Sequence, residues 1–323
     1  MIRYHYRKQC VYDTGQEVLF HKGGVEMDEV KQIPLLTLKE LLAIQEKETF
    51  LLVQTSNVTI TPGHLRVEIA DNPSVAINKL SRRVLETGSN TDWRWPAGGA
   101  AMVVGLSDGQ QVLLTLHRDK GAPSYADCDT IGSGLGGSVE EIHYPLRTAL
   151  REGVEEIFLR TPTGLVCPYL GQDHFGFDLA LAEIVRSGAR LFPELKDVSL
   201  YEVKASLVNT ALMQEIQVVW QGKERTCQAL VCLDPKTRGI DVLTILHLRL
   251  DCNLEDLIVL DGELVGNKPI NRVVNAYELK GFKPTGRIIA SWQSGRHQGA
   301  VEGVYPYKTT PVLQVIDEAL RNM

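Results

Sequence analysis

No run of about 18 consecutive apolar residues occurs in the chain, so no transmembrane helix is expected. Cysteine is sparse: Cys10, Cys128, Cys167, Cys227, Cys232 and Cys252 are scattered, without a Cys-x-x-Cys or a matching histidine cluster. In 323 residues that pattern favours free thiols in a reducing compartment over a disulfide frame or a zinc site. Basic charge is not in excess either. Lys and Arg number 34 against 40 Asp and Glu, a formal net charge of -6, which argues against a surface built mainly for nucleic acid and leaves only a local basic patch open. A Walker phosphate loop is missing, because no Lys-Ser or Lys-Thr follows the glycine-rich stretch 130–139. Internal repeats and low-complexity runs are lacking as well. The first residues, Met-Ile-Arg-Tyr-His-Tyr-Arg-Lys, have no apolar signal core behind them, and a cytoplasmic location is expected.

What is present is an average globular composition, 44% hydrophobic and 23% charged, long enough for one large domain or two. Residues 1–92 read as an α+β module or extension. It has a short strand at 17–20, a capping box opening a helix over 37–47, strands at 50–54, 58–60 and 65–69 around the turn Thr61-Pro62-Gly63, and a helix from about Pro73 to Gly88. Turn formers cluster over Gly88–Gly99, which reads as a junction. A hairpin follows, 100–106 and 111–117 around Ser107-Asp108-Gly109, and then a polar loop, 118–129, placed to rim a site. Further on, a short helix is expected at 179–187 and strands at 201–208, 214–221, 226–233 and 242–250. Residues 261–303 resist assignment, and an amphipathic helix over Pro311–Arg321 carries Val312, Val315, Ile316 and Ala319 on one face.

The stretch 136–159 stands out. From Leu146 to Ile157, Leu146, Ala149, Leu150, Gly153, Val154 and Ile157 fall on one helical stripe, and Arg147, Thr148, Arg151, Glu152, Glu155 and Glu156 on the other. Glu152 lies about one turn from Glu155 and Glu156, with Arg151 placed to pair with Glu155. Like charges so spaced destabilise a helix unless something positive sits among them, and a hard divalent cation with oxygen ligands is the natural candidate. Against this stands the plain reading of a solvated acidic face.

The layout around 112–159 resembles the Nudix hydrolase family, whose signature is Gly-x5-Glu-x7-Arg-Glu-U-x-Glu-Glu-x-Gly-U, with U a bulky aliphatic. Gly137, Arg151, Glu152, Glu155, Glu156 and Leu159 match, whereas His143, Gly153 and Phe158 depart at the first Glu, the first aliphatic and the last Gly. The resemblance implies an α+β fold, an α/β/α sandwich around a mixed sheet, over residues 93–262. Segments 1–92 and 263–323 then stand as N- and C-terminal extensions. It further implies cleavage of the diphosphate linkage of a nucleoside diphosphate derivative or related compound, using magnesium or manganese. By position, Glu152, Glu155 and Glu156 would be metal ligands with the Gly137 carbonyl, and Arg151 would orient the carboxylates. Many members dimerise, which admits a homodimer.

The departures carry expectations of their own. His143 is a poor partner for Arg151, with Glu140 or Glu141 as substitutes. Gly153 costs about 1 kcal/mol in helix propensity and so points to a close approach of sheet backbone. Phe158 lacks the freedom of a left-handed cap, so the helix is expected to run past 158 toward Thr161-Pro162. The three departures and the large flanking segments also support an alternative, a Nudix-fold nucleotide-binding or regulatory module without turnover.

Overall fold

The computed structural model describes residues 3–8, 12–13, 18–19, 26–29, 53–54, 58–69, 93–122, 125–135, 143, 145–169, 197–202, 212–234, 239–262, 264–265, 268–269, 271–304 and 307–323. The expected helices at 37–47, 73–88 and 179–187 lie outside the described residues, as do Gly137, Glu140 and Glu141. Among the described residues a mixed sheet of 15 strands dominates, accompanied by two α-helices. Neither helix is long and apolar enough to cross a membrane.

Strands β1 (Val58–Thr61) and β2 (His64–Ile69) form a hairpin, followed by β3 (Trp93–Gly105), β4 (Gln111–Arg118), β5 (Cys128–Thr130) and β6 (Gly132–Leu135). Helix α1 (Pro145–Glu156) leads directly into β7 (Ile157–Thr161) and β8 (Gly164–Tyr169). Then come β9 (Gln214–Trp220), β10 (Lys223–Leu233), β11 (Gly239–Arg249), β12 (Ile258–Asp261), β13 (Val273–Lys280), β14 (Lys283–Gln293) and helix α2 (Pro311–Arg321). The main sheet runs β14-β13-β4-β3-β11-β10-β9-β2-β1, so strands from each of the segments 1–92, 93–262 and 263–323 take part in it. Along this path two junctions are parallel, β3 with β11 and β2 with β9. A second sheet joins β12, β7 and β8 to the strands Asp197–Glu202 and Arg3–Lys8.

The centre of the main sheet is covered on both faces, and the sequence there is apolar without alternation. On one face Ala100, Met102 and Val104 of β3 pack with Leu114, Leu116, Ile157, Leu159 and Val259. On the other, Ala101 and Val103 pack with Leu243, Ile245 and the α2 residues Leu313, Ile316 and Leu320. Helix α1 presses on the first face, where Gly153 meets Ala100. The two helices therefore lie against opposite faces of β3. Helix α2 matches its expected span: Thr310 caps it by accepting from the Leu313 amide, Pro311 occupies its first turn, and Val312, Ile316 and Ala319 are buried.

Two expectations need correction, and one unassigned segment gains a structure. Residues 93–99 are not a junction but the first half of β3, because their glycines serve packing: a Cβ at Gly98 would lie 2.6 Å from the Ala149 amide nitrogen. The helix does not run past Phe158. It ends at Glu156, and Ile157-Phe158-Leu159 continue as a strand buried between β8 and β12. A cap is still made by glycine, but from a distant segment, since the Gly262 amide donates to the Glu156 carbonyl at 3.0 Å. Finally, 261–303 contains the β13–β14 hairpin. Its two-residue turn, Gly281-Phe282, has φ of 54° and 66°, so both residues take the left-handed conformation that a tight hairpin of this hand requires.

Candidate functional site

The site is built on a floor without side chains. Gly98 and Gly99 of β3 pair with Gly134 and Ser133 of β6, and α1 descends onto them. A Cβ at Gly153 would come within 2.6 Å of the Ala100 Cβ, and one at Gly132 within 3.0 Å of the Gly153 Cα. The close approach expected at Gly153 is present. One result is that the acidic stripe is not a solvated face: Thr148, Glu152 and Glu156, spaced one turn apart, are all buried.

The acidic side chains are arranged around two guanidinium groups. Arg151 Nη1 donates to Glu155 Oε2 at 2.9 Å, and its Nη2 donates to Glu152 Oε1. Glu152 and Glu155 therefore converge on one positive group. Glu156 is held differently. Its Oε2 accepts from the Ser133 amide at 3.0 Å, and its Oε1 lies 3.4 Å from Arg272 Nη2. Arg272 is itself fixed on Asp261, donating from Nε at 2.9 Å, from Nη2 at 2.8 Å and from its backbone amide at 2.7 Å. With Asp261 1% exposed and Arg272 12% exposed, this is a buried, hydrogen-bonded charge network, the kind whose partners cannot be removed singly without large loss.

His143 stands where the motif has glutamate and has a different role. It is buried, its Nε2 lies 3.1 Å from the Lys223 carbonyl, and its ring meets Trp220 edge-on at 5.9 Å. Burial lowers its pKa, which favours the neutral ring. His143 thus docks the start of α1 on the β9–β10 hairpin, and Arg151 turns to Glu152 and Glu155. Phe158 packs against Gly262, where any Cβ would meet the ring at 2.2 Å and the Glu155 carbonyl at 2.1 Å.

The donor chemistry fits a cation at Glu152 and Glu155, where two carboxylates already converge on the Arg151 guanidinium as a stand-in. Among the described residues, however, no group of three or more His, Cys, Asp or Glu is gathered closely enough to hold a metal ion. The fit is thus a pair of ligands, with Glu156 one turn away in the Arg272 network.

Sequence reasoning missed Arg272, Asp261 and Ser133, because nothing local marks them: Arg272 lies 116 residues from Glu156. It also missed a polar hub at the ends of β4 and β5. Asp129, fully buried, accepts from Tyr277 Oη at 2.5 Å and from Asn275 Nδ2 at 3.2 Å, and lies 2.9 Å from His117 Nδ1. The hydrogen bond to Asp129 raises the His117 pKa. Asp127, at a φ of 58°, places its carboxylate 3.6 Å from His117 Nε2. The polar loop 118–129 does rim something built, but the hub faces the α2 side of the sheet, with Tyr277 in the α2 core.

No family model matches the chain, and no curated protein matches it. Among solved structures, a NUDIX hydrolase from Alicyclobacillus acidocaldarius is similar at 14% identity with a TM-score of 0.25, over 57% of this chain and 79% of that one. A superposition that loose carries no argument about fold or activity.

Proposed function

We propose that the chain is a metal-dependent hydrolase of Nudix type that cleaves the diphosphate linkage of a nucleoside diphosphate derivative or a related compound. The observation that carries this reading is the convergence of Glu152 and Glu155 on a single cationic position over a glycine floor. The opposed placement of α1 and α2 supports an α/β/α sandwich as its fold. Free, buried Cys128, Cys232 and Cys252 accord with a cytoplasmic setting.

In this reading Glu152 and Glu155 hold a magnesium or manganese ion together with the Gly137 carbonyl. Glu156, a third ligand by its position in the motif, is held one turn away by the Ser133 amide and Arg272. Bound there, the ion would offset charge on the phosphate oxygens and polarise water. Ser133 and Arg272 fix the Glu156 carboxylate, and the buried helix face limits water around Glu152. The test is release of phosphate or mononucleotide from a panel of diphosphate compounds with magnesium or manganese. Activity is expected in the wild type and loss of at least about a hundredfold in Glu155→Gln; no release from any compound sinks the proposal.

The neutralisation of all three carboxylates by Arg151 and Arg272 favours one other reading, a nucleotide-binding or regulatory module without turnover. A nucleotide that raises the melting temperature while staying intact would select it.

A further inference from the structure

On the side of the sheet opposite α1, the fully buried carboxylate of Asp129 has partners of unequal charge. Tyr277 Oη, Asn275 Nδ2 and Thr115 Oγ1 donate to it as neutral groups, at 2.5, 3.2 and 3.4 Å. Among the described residues His117 is the one partner able to bring a positive charge, with Nδ1 2.9 Å from Asp129 Oδ1. A carboxylate out of water is costly unless a counter-ion accompanies it, so the proton on one imidazole decides whether Asp129 is a paired charge. Two more acids face the ring and favour its proton: Asp127, with Oδ1 3.6 Å from Nε2, and Asp119 at the start of the same loop. The Tyr307 ring covers the imidazole, centroid to centroid at 4.1 Å, and Lys308 beside it is exposed.

This pair sits where α2 is fastened to the sheet. The short strand Lys308–Thr309 runs parallel to β5, with Lys308 opposite Cys128 and Thr309 opposite Asp129. The Thr310 amide donates to the Asp129 carbonyl at 2.9 Å, and Thr310 Oγ1 donates to Thr130 Oγ1 at 3.0 Å. Thr310 is also the residue that caps α2. The strap Tyr307–Thr310 thus lies on His117 at one end and on Asp129 and Thr130 at the other.

We propose that the His117–Asp129 pair is a proton-operated latch on this strap and the first turn of α2. Protonated, it holds Tyr307–Thr310 against Cys128–Thr130; without the proton that segment opens while the rest of the sheet stays folded. Opening admits water to Asp129 and returns His117 to its ordinary affinity for a proton, so the closed form is the better proton binder. The raised pKa of His117 has the sign this requires. The latch is therefore fastened below the folded value and loosens as pH rises through it, in the range where a histidine acts as a switch.

The test is hydrogen exchange of the full chain, read by mass spectrometry on peptides covering 307–316 and, for comparison, α1. Opening constants are taken at pH 6 and pH 9 after correction for the chemical exchange rate. In the wild type the strap should open more readily than α1, and its opening constant should rise about tenfold between the two pH values. His117→Gln should show no such rise and should already be as open at pH 6 as the wild type is at pH 9. Asp129→Asn, which keeps the shape of the hub but removes its charge, should also be independent of pH and serves if His117→Gln does not fold. A wild-type strap indifferent to pH, or a rise of the same size in either variant, overturns the inference. So does opening of the strap in step with α1, because the pair would then govern the stability of the whole molecule and no local latch.

Discussion

Burial holds His247 of β11, edge-on to Phe282 at 5.4 Å, down to a pKa of about 4. The unfolded chain would bind a proton near pH 6.5 that the folded chain refuses until about 4, so acid favours unfolding across that window. Stability should therefore fall by roughly 3 kcal/mol as pH drops from 6.5 to 4 and be fully present above 6.5. Thermal melts of wild type and His247→Leu at several pH values should show a flatter acid limb in the variant. His117 has the opposite sign. Its pKa is raised by the Asp129 bond, so its contribution is present below pH 6.5 and is lost as pH rises through the folded value. His117→Gln should lower the melting temperature at pH 6 more than at pH 9, and an equal loss at both would contradict the assignment.

At the scale of elements, α1 and the glycine floor make an interface in which backbone replaces side chains. Gly153→Ala gains about 1 kcal/mol of helix propensity but drives a methyl to 2.6 Å from Ala100 Cβ. A net loss of about 1–3 kcal/mol is expected in urea melts, with recovery when Ala100→Gly is added. Gly262→Ala should be worse, more than about 3 kcal/mol, because the new carbon strikes both the Glu155 carbonyl and the Phe158 ring. Sequence reading found α1, α2, the β3–β4 hairpin and the Gly153 contact, since each is written in local periodicity or in one misplaced residue. It misjudged Gly98-Gly99 and Phe158 because their meaning lies across the fold: a glycine pair reads as a turn until a helix is seen to rest on it. Similarly, the cap at Glu156 comes from Gly262, which no spacing rule connects to α1. The β13–β14 hairpin was hidden because its turn is Gly-Phe, not the usual Asn-Gly.

For the whole molecule, the sheet is one continuous object to which all three sequence segments contribute, and its charge network repeats that theme. Arg272 ties the end of α1 to the end of β12, joining Glu156 and Asp261. Arg272→Met should cost about 3–5 kcal/mol, as expected when a buried pair loses one partner, whereas Glu155→Gln at the half-exposed end of the acidic stripe should change stability by less than about 1 kcal/mol. Chemical denaturation of the two variants separates these outcomes. The acidic motif was legible in sequence as a set of residues, and so was the pairing of Arg151 with Glu155 at i+4, but the hold of Arg272 on Glu156 was not, because it comes from a residue over a hundred positions away.

The contact between His143 and Trp220 gives the chain its own optical probe. An indole beside an imidazole loses emission when the imidazole gains a proton, so Trp220 fluorescence reports the protonation of His143 from within the fold. Because burial lowers the His143 pKa, quenching should begin only below the range of a free histidine. His143→Gln should remove the share of acid quenching that belongs to Trp220, read as a difference from the wild type because Trp292 meets His297 edge-on at 5.5 Å and keeps its own response.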